Sequence, residues 1–291
     1  MKEVYTLADL REPDSIFVRD SKPARLAVIG DPVVHSKSPQ LHQPALDALG
    51  LNCTYVRIQL SADEFAEGVD LMKALGFIGC NVTVPHKERA LAWATNPDSF
   101  AAQLGVANTI LFQTEQCFTT DPVGCESAVA EQLDVNFADA RILVIGAGGG
   151  AGSAVAQYIA RNEYRELYLH NRSEANLAST VKKITDAGFW NAERMHLSSG
   201  STFPSPDCFD LIINATSLGL KPEQPSPILS ELLNLDHSVY DMTYGCENAL
   251  SKVCKEVGAR YADGMSMLAH QGAAAFKIWF PGTDPLPIMG R

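Results

Sequence analysis

The 291-residue chain lacks the features that mark membrane and nucleic-acid-binding proteins. No apolar run approaches the roughly 18 residues of a membrane-spanning helix. Positive charge is not in excess, since the formal net charge is −11, and no basic stripe of the kind that binds nucleic acid is present. The first two dozen residues mix charges throughout and lack the apolar stretch of a signal peptide. We therefore expect a cytoplasmic protein that binds neither nucleic acid nor a membrane.

Paired cysteines are also missing. The seven cysteines are odd in number and show no Cys-x-x-Cys spacing, which argues against a disulfide framework and against structural zinc. His35, His42, His86 and His270 lie near polar segments, but their spacing does not place a ligand pair on one helix face. We expect no metal site, structural or solvated roles for His42 and His86, and cysteines that pack as small buried hydrophobic residues.

The chain does contain apolar runs that alternate with helix-like stretches. Hydrophobic residues make up 46% and charged residues 20% of the sequence, and the length favours two domains. Several apolar runs are hydrophobic on both faces, as in a parallel sheet covered by helices. The pattern predicts an α/β protein whose strands span 25–30, 53–58, 77–84, 141–146, 166–170, 209–214 and 237–242.

Three helical segments help to place the domains along the chain. Ser38-Pro39 is typical of a helix N-cap followed by proline, and Pro44 then predicts a short or bent helix. A new unit begins after Asp121, with a helix near 123–133 that leads into the strand at 141–146. The last helical stretch, 264–279, follows the second unit's strands and could return to the first domain.

A glycine-rich turn follows the strand at 141–146. Gly146, Gly148 and Ala151 satisfy the G-x-G-x-x-G/A spacing, and a helix follows. In this arrangement the first glycine permits the turn, the second lets the backbone approach a pyrophosphate, and the third small residue lets helix and strand pack closely. A free helix N-terminus then favours the negative charge. A flexible glycine turn is the alternative, but the flanking strand and helix favour dinucleotide binding.

The end of the next strand indicates which dinucleotide is bound. NAD enzymes place an Asp or Glu there to accept a hydrogen bond from the ribose 2′-hydroxyl. This chain has Asn171-Arg172-Ser173 instead, without a carboxylate. The planar guanidinium of Arg172 is suited to a 2′-phosphate, although a surface arginine at a strand end is also common. The sequence therefore favours NADP.

Four polar segments follow apolar strands in the first half of the chain, where ligands of a parallel α/β sheet bind. They span 30–39, 81–87, 107–109 and 119–121. With later segments they form an ordered series of motifs: HSKSP, NVTVPHK, ANT, TD, GAGGG, NRS, NATSLG, YDMTY and DGMSMLAHQ. In this series the chain resembles the shikimate dehydrogenase family over nearly all of residues 24–280.

The resemblance implies two domains and a reaction. The domains are an N-terminal α/β substrate domain at 24–122, completed by 265–291, and a C-terminal Rossmann domain with a doubly wound parallel sheet at 123–264. The last helix returns to the first domain, and residues 1–23 form an extension of unassigned role. The reaction is the reversible, NADPH-dependent reduction of 3-dehydroshikimate to shikimate, in aromatic amino acid biosynthesis, by a monomer or homodimer.

The resemblance also implies residue roles. Lys87 and Asp121 are the catalytic pair. Ser36 and Ser38 hold the substrate carboxylate, and Thr83, Asn108, Tyr244 and Gln271 hold carboxylate or ring hydroxyls. The cofactor-binding residues are Gly146, Ala147, Gly148, Gly149, Gly150, Asn171, Arg172, Ser173, Thr216, Met242 and Gly264.

The chemistry of these residue types fits that assignment. Hydride transfer to a ketone leaves an alkoxide-like oxygen that needs a proton and a positive partner, and a lysine supplies both. Read alone, Lys87 is equally typical of a solvated helix start, Asp121 of a helix cap before Pro122, and Ser36 and Ser38 of caps.

The chain departs from the family's motifs at a few positions. Gln43 replaces the usual asparagine after the histidine, Pro122 follows Asp121 in place of glycine, and Asn176 stands where a second basic residue is usual. Two alternatives therefore remain open. One is a relative that acts on quinate or an amino-shikimate with NAD(P), and the other is a non-enzymatic sensor of shikimate-pathway ligands. Retention of Lys87 and Asp121 argues against the sensor.

Overall fold

The structure is a computed structural model that describes residues 2–12, 18–19 and 22–290. Residues 1, 13–17, 20 and 21 of the predicted extension lie outside the described residues. The chain forms two compact units. Unit 1 comprises Met1–Thr120 and Gln271–Arg291, and unit 2 comprises Asp121–His270.

Unit 1 contains a mixed six-stranded sheet. Its order is β1-β2-β4-β5-β6, with β3 also pairing β2. Strand β2 is parallel to β3 and β4, whereas β5 is antiparallel to both β4 and β6. The apolar pattern predicted only the parallel strands, because β5 and β6 are three residues each and too short for a periodicity. The elements are α1 (Leu7–Arg11), β1 (Val18–Arg19), β2 (Lys22–Gly30), α2 (Ser38–Ala48), β3 (Thr54–Gln59), α3 (Phe65–Ala74), β4 (Gly79–Val82), α4 (Lys87–Trp93), α5 (Ser99–Leu104), β5 (Thr109–Leu111) and β6 (Gln116–Phe118).

Part of the N-terminal extension packs against unit 1. The backbone N–H of Tyr5 donates to Arg57 O at 2.9 Å, and Gln59 N–H donates to Tyr5 O at 2.8 Å. These bonds pair Tyr5 with the strand β3. Leu7 and Leu10 of α1 are buried in the core of the unit. The extension therefore contributes apolar side chains and covers backbone groups of β3.

Two features of helix α2 bear on its prediction. It continues through Pro44 for eleven residues, so the proline does not cut the helix short, and the alternative of a bent helix stays a prediction. Its N-cap is Lys37, and Ser38 is the first helical residue. The hydroxyl of Ser36 accepts the Ser38 N–H at 3.3 Å, which satisfies one of the amides at the start of the helix.

Unit 2 contains a six-stranded sheet in which every pair is parallel, in the order β12-β11-β10-β7-β8-β9. This is the predicted doubly wound sheet. The two strands that the sequence did not predict, β9 and β12, are the edge strands, which are half exposed and therefore lack an apolar run. The elements are α6 (Asp121–Leu133), β7 (Arg141–Ile145), α7 (Gly150–Arg161), β8 (Glu166–Asn171), α8 (Glu174–Asp186), β9 (Met195–Ser199), β10 (Leu211–Asn214), β11 (Ser238–Asp241), α9 (Ala249–Val257) and β12 (Arg260–Asp263).

The last long helix, α10 (Met265–Trp279), crosses the division of the chain at Gln271. Its second half belongs to unit 1, where Trp279 Nε1 donates to Ile110 O at 2.9 Å. A side chain at Gly79 would clash with this indole, since its Cβ would lie 2.2 Å from Nε1. Helix α11 (Leu286–Met289) packs on α2. The predicted return of the last helix to the first domain is confirmed.

Five cysteines, at 53, 80, 117, 125 and 254, are buried, and all seven are free thiols. This confirms for those five the prediction of small buried hydrophobic residues. Within residues 2–12, 18–19 and 22–290, no helix is long and apolar enough to cross a membrane.

Candidate active site

The glycine turn of unit 2 joins the end of β7 to the start of α7. Gly146 has φ +87°, in the left-handed region that favours glycine, and a Cβ there would lie 2.8 Å from Thr216 Cγ2. The N–H groups of Gly146 and Ala147 donate to His170 O, which anchors the turn to β8. Gly149 is the N-cap of α7. The turn therefore leaves a helix N-terminus for an anionic ligand.

The residue that lets helix and strand pack closely is Gly152, and the prediction of Ala151 for this role was wrong. Ala151 is exposed, whereas Gly152 is buried. A Cβ on Gly152 would lie 2.1 Å from Gly146 O. The spacing rule selected Ala151 because it counts from Gly146, but α7 begins at Gly150 and turns its buried face to Gly152.

A pocket of about 570 Å³ opens at this turn. Seven predicted cofactor residues line it: Gly146, Gly149, Gly150, Asn171, Arg172, Ser173 and Thr216. Of the other four predicted residues, Ala147 is buried in the hydrophobic core, and neither Gly148, Met242 nor Gly264 is among the lining residues. Arg172 carries the only formal charge among the described lining residues, which include no carboxylate.

The end of β8 supports the turn from the side. Asn171 Oδ1 accepts the Gly148 N–H at 3.2 Å, and Asn171 Nδ2 donates to Ser173 O at 2.8 Å. Gly148 has no room for a side chain, since its Cβ would lie 2.8 Å from Asn171 Cγ. Ser173 is the N-cap of α8 and accepts the Asn176 N–H. Asn171 and Ser173 thus hold the turn, and Arg172 between them is exposed.

Sequence reasoning missed part of this pocket. His170 and Phe203 stack with ring centroids 3.8 Å apart, and both line the pocket. Burial lowers the pKa of His170, so the ring is neutral. Ser217 and Leu218 also line the pocket. They belong to the NATSLG motif, which could have identified them, whereas nothing in the sequence marked Phe203.

Met242 and Gly264 are brought together at the ends of β11 and β12. A Cβ on Gly264 would lie 2.4 Å from Met242 O, and Gly264 N–H donates to Thr243 O at 3.0 Å. Glycine is therefore required at 264 by the close approach of backbone. Tyr244 follows on the same segment and is half-buried, and desolvation raises the pKa of its hydroxyl.

In unit 1, the side chain of Asn108 makes hydrogen bonds to Thr120 and to Gln271. Its Nδ2 donates to Thr120 Oγ1 at 3.0 Å and to Gln271 Oε1 at 3.4 Å, and its Oδ1 accepts the Thr120 N–H at 2.9 Å. Asn108 and Gln271 are 163 positions apart in the chain and are both buried. Two residues predicted to bind one substrate therefore lie in hydrogen-bond contact.

The serines of the first motif lie at the start of α2. Their hydroxyls are 3.2 Å apart, and Ser38 is buried. The carbonyl of Ser36 accepts two hydrogen bonds from the Arg57 guanidinium, at 3.0 and 2.7 Å. Arg57 thus holds the loop before α2, a contribution that sequence reasoning missed.

Lys87 is the first residue of α4, beyond the end of β4. It is half-buried, and its carbonyl accepts the Ala107 N–H at 2.9 Å. Thr83 packs its methyl group over Gly30, where a Cβ would lie 2.5 Å away. These contacts bring the NVTVPHK segment to the carboxyl end of β2, which is where ligands of parallel α/β sheets bind.

The histidines around these segments are structural, as expected. His86 is buried and its Nε2 lies 2.7 Å from Leu60 O. His42 is buried and stacks on Tyr55, with ring centroids 4.5 Å apart. Desolvation lowers the pKa of His42 to about 3, so it is neutral. Among the residues that the structure describes, no group of three or more His, Cys, Asp or Glu side chains could hold a metal ion.

Asp121 is the first residue of α6 in unit 2. Pro122 lies in the first helical turn, where its missing N–H removes no hydrogen bond, and the helix continues for thirteen residues.

The departure from the family motif at Gln43 has a structural role in unit 1. Gln43 Oε1 accepts the Tyr55 N–H at 2.9 Å, and its Nε2 donates to Asp47 Oδ1 at 3.1 Å. Gln43 therefore ties α2 to β3.

Comparison with known proteins agrees with this geometry. The family model of the shikimate dehydrogenase substrate binding domain matches residues 28–110. A shikimate dehydrogenase (NADP⁺) of Methanocella arvoryzae is 33% identical over 265 residues, which cover 91% of this chain and 96% of the relative. One of Methanosarcina barkeri is 34% identical, with 91% and 95% covered. The chain belongs to the shikimate dehydrogenase family.

Solved structures of the shikimate dehydrogenase family share the whole fold. A shikimate dehydrogenase in complex with NADP⁺ superposes with a TM-score of 0.85 at 30% identity, with 94% of each chain covered. The enzyme of Thermus thermophilus in complex with NADP(H) and shikimate superposes with a TM-score of 0.79 at 28% identity, covering 91% of this chain and 97% of that one. The α/β, two-domain fold class predicted from the sequence is confirmed.

Proposed function

We propose that this chain is an NADP-dependent shikimate dehydrogenase, an oxidoreductase that reversibly reduces 3-dehydroshikimate to shikimate. The observation that carries the proposal is the similarity, over nine-tenths of the chain, to relatives that are shikimate dehydrogenases (NADP⁺). The pocket of unit 2 supports the choice of cofactor, because its described lining has the Arg172 cation and no carboxylate.

The residues of unit 2 fit an NADP molecule. The backbone N–H groups at the start of α7, from Gly150 onward, bind the pyrophosphate, and Gly148 and Gly149, which lack a Cβ, let it approach the helix end. Arg172 pairs with the 2′-phosphate, and its exposure leaves the guanidinium accessible. Met242 and Gly264 would line the nicotinamide pocket, and Thr216 would contact the cofactor from the wall of the pocket. When bound, this cofactor supplies the hydride for reduction.

The residues of unit 1 hold most of the substrate. Ser36 and Ser38 bind the carboxylate through two neighbouring hydroxyls. Asn108 and Gln271 are positioned together by their own hydrogen bond and bind ring oxygens, with Thr83. Tyr244 would hold the carboxylate or a ring hydroxyl. The division into a substrate domain at 24–122 with 265–291 and a cofactor domain at 123–264 stays a prediction from the sequence.

Lys87 is the proton donor and acceptor at the oxygen that changes between ketone and alcohol. Its ammonium stabilises the negative charge that develops on this oxygen during reduction, which is a general acid role of the kind that contributes about 10²- to 10⁴-fold. Asp121 accepts a hydrogen bond from a substrate hydroxyl and thereby orients the ring. Cytoplasmic location and a monomeric or homodimeric state stay predictions from the sequence.

The deciding experiment is a crossed assay that follows the absorbance of reduced nicotinamide. Shikimate and quinate are each combined with NADP and with NAD. We expect strong turnover only with shikimate and NADP. Turnover with quinate or NAD would assign the motif departures to substrate or cofactor choice. Binding of ligands without turnover in all four mixtures would contradict an enzymatic role.

A further inference from the structure

A fully buried carboxylate lies at the end of β11 in unit 2. Asp241 is inaccessible to solvent and accepts five hydrogen bonds. Its Oδ1 accepts from Thr243 N–H at 3.0 Å, Thr243 Oγ1 at 2.9 Å and Asn214 Nδ2 at 2.9 Å. Its Oδ2 accepts from Asn248 Nδ2 at 2.9 Å and the Tyr261 hydroxyl at 3.2 Å. All five donors are neutral, so the carboxylate is stabilised by hydrogen bonds alone.

One group of donors organises the loop that follows β10. Asn214 Nδ2, besides its bond to Asp241, donates to Leu218 O at 3.0 Å. Asn214 Oδ1 accepts from Thr216 N–H at 3.1 Å and Thr216 Oγ1 at 2.7 Å. Thr216 Oγ1 in turn accepts the Leu218 N–H at 3.1 Å. Residues 215–218 line the cofactor pocket, so Asp241 is two hydrogen bonds away from its wall.

A second group of donors belongs to the segment after β11. Thr243 lies between Met242 and Tyr244, and Asn248 is the N-cap of α9. Asn248 Nδ2 also lies 3.4 Å from Gly219 O, at the end of the first loop. Gly219 has φ +113°, and a Cβ there would lie 2.6 Å from both Asn248 Nδ2 and Thr243 Oγ1. The two loops therefore meet at this carboxylate with no space for a side chain.

We propose that Asp241 is a positioning residue that holds Thr216 and Met242 in their cofactor-binding arrangement. The proposal rests on the proposed function for its choice of NADPH as the ligand that is titrated. An ionised carboxylate has two oxygens that only accept, and it can satisfy all five donors. An asparagine offers one acceptor oxygen and turns two N–H groups toward Thr243 or Asn248. Asp241→Asn therefore keeps the volume of the side chain while breaking the arrangement of both loops.

The primary test compares Asp241→Asn with Asp210→Asn. Asp210 precedes β10 and pairs with Arg141 at the amino ends of the two central strands, whereas the cofactor pocket lies at their carboxyl ends. NADPH binding is measured by titration of nicotinamide fluorescence, together with thermal unfolding. We expect Asp241→Asn to weaken NADPH binding roughly tenfold or more, since an unsatisfied buried donor typically costs that much. We expect Asp210→Asn to lower the melting temperature and leave NADPH binding within about twofold.

A double-mutant cycle keeps the proposal testable if Asp241→Asn does not fold. Thr216→Val and Thr243→Val each remove one hydroxyl from one loop. If both loops depend on Asp241, the double variant should lose less NADPH affinity than the product of the two single losses. Tyr261→Phe removes a donor that belongs to neither loop, and it should leave NADPH binding within about twofold.

Two results would overturn the proposal. One is an equal loss of NADPH affinity in Asp241→Asn and Asp210→Asn at equal loss of stability. The other is full additivity in the threonine cycle. A weakened NADPH titration in Asp241→Asn, with no shikimate turnover by the unaltered chain, would instead refute the proposed function and leave the positioning role in place.

Discussion

The two units differ in how far apart in the chain their neighbouring site residues lie. In unit 1, Asn108 and Gln271 come from distant parts of the chain and are joined by side-chain hydrogen bonds. In unit 2, the turn at which the pocket opens lies within one short stretch of chain, where Gly146 and Gly152 have no room for a Cβ atom. A turn of the second kind is encoded by residues that are close in sequence. A site of the first kind depends on how the chain folds back, and sequence spacing alone does not reveal it.

The largest expected effect is a loss of kcat without a loss of substrate affinity, on substitution of Lys87 in unit 1. Lys87→Ala should lower kcat about 10²- to 10⁴-fold and change shikimate affinity little, because the lysine acts on charge formed in the transition state. Arg89→Ala, which removes an exposed cation from the same helix, is the matched control and should leave kcat unchanged. The measurement is steady-state kinetics with a separate titration of shikimate. A raised KM with normal kcat would contradict the catalytic role.

The next effect tests whether the N-terminal extension belongs to unit 1 alone. Leu10→Ala removes a side chain that is 1% exposed, and it should lower the free energy of unfolding by about 2–4 kcal/mol. Hydrogen exchange should become faster in unit 1 and not in unit 2. Leu49→Ala, at a position that is 37% exposed, should cost less than about 0.5 kcal/mol. Equal acceleration of exchange in both units would show that they unfold together.

A third prediction tests the backbone origin of the pocket in unit 2. Gly152→Ala places a Cβ 2.1 Å from Gly146 O, and it should cost about 1–3 kcal/mol of stability and weaken NADPH binding. Gly150→Ala adds a Cβ with no atom within 4 Å, so its stability should be unchanged or slightly raised. Thermal unfolding and NADPH titration measure both. Similar melting temperatures for the two variants would contradict the role of Gly152.

The smallest effect concerns the choice of cofactor. If Arg172 pairs with the 2′-phosphate as proposed, Arg172→Ala should weaken NADP binding about tenfold and leave NAD binding nearly unchanged, because NAD lacks that phosphate. Arg165→Ala removes an exposed arginine near the opposite end of β8 and should alter neither affinity. Isothermal titration with the two cofactors measures the difference. Equal losses for NADP and NAD in Arg172→Ala would remove this residue from cofactor discrimination.

Predictions from sequence succeeded where a pattern is local. The apolar runs located seven strands, and the glycine turn located the pocket. They failed for β5 and β6, which are too short, and for the edge strands β9 and β12, which are half exposed. They also failed at Ala151, because spacing within a motif does not tell which face of a helix is buried.

The sequence by itself determined the order of motifs, the family and the absence of a carboxylate after β8. Only the tertiary structure decided which residues touch. It pairs Asn108 with Gln271, stacks Phe203 on His170, and surrounds Asp241 with donors from four residues. The physical reason is that burial and hydrogen bonding are satisfied by neighbours in space, and those neighbours are set by how the chain folds rather than by their spacing along it.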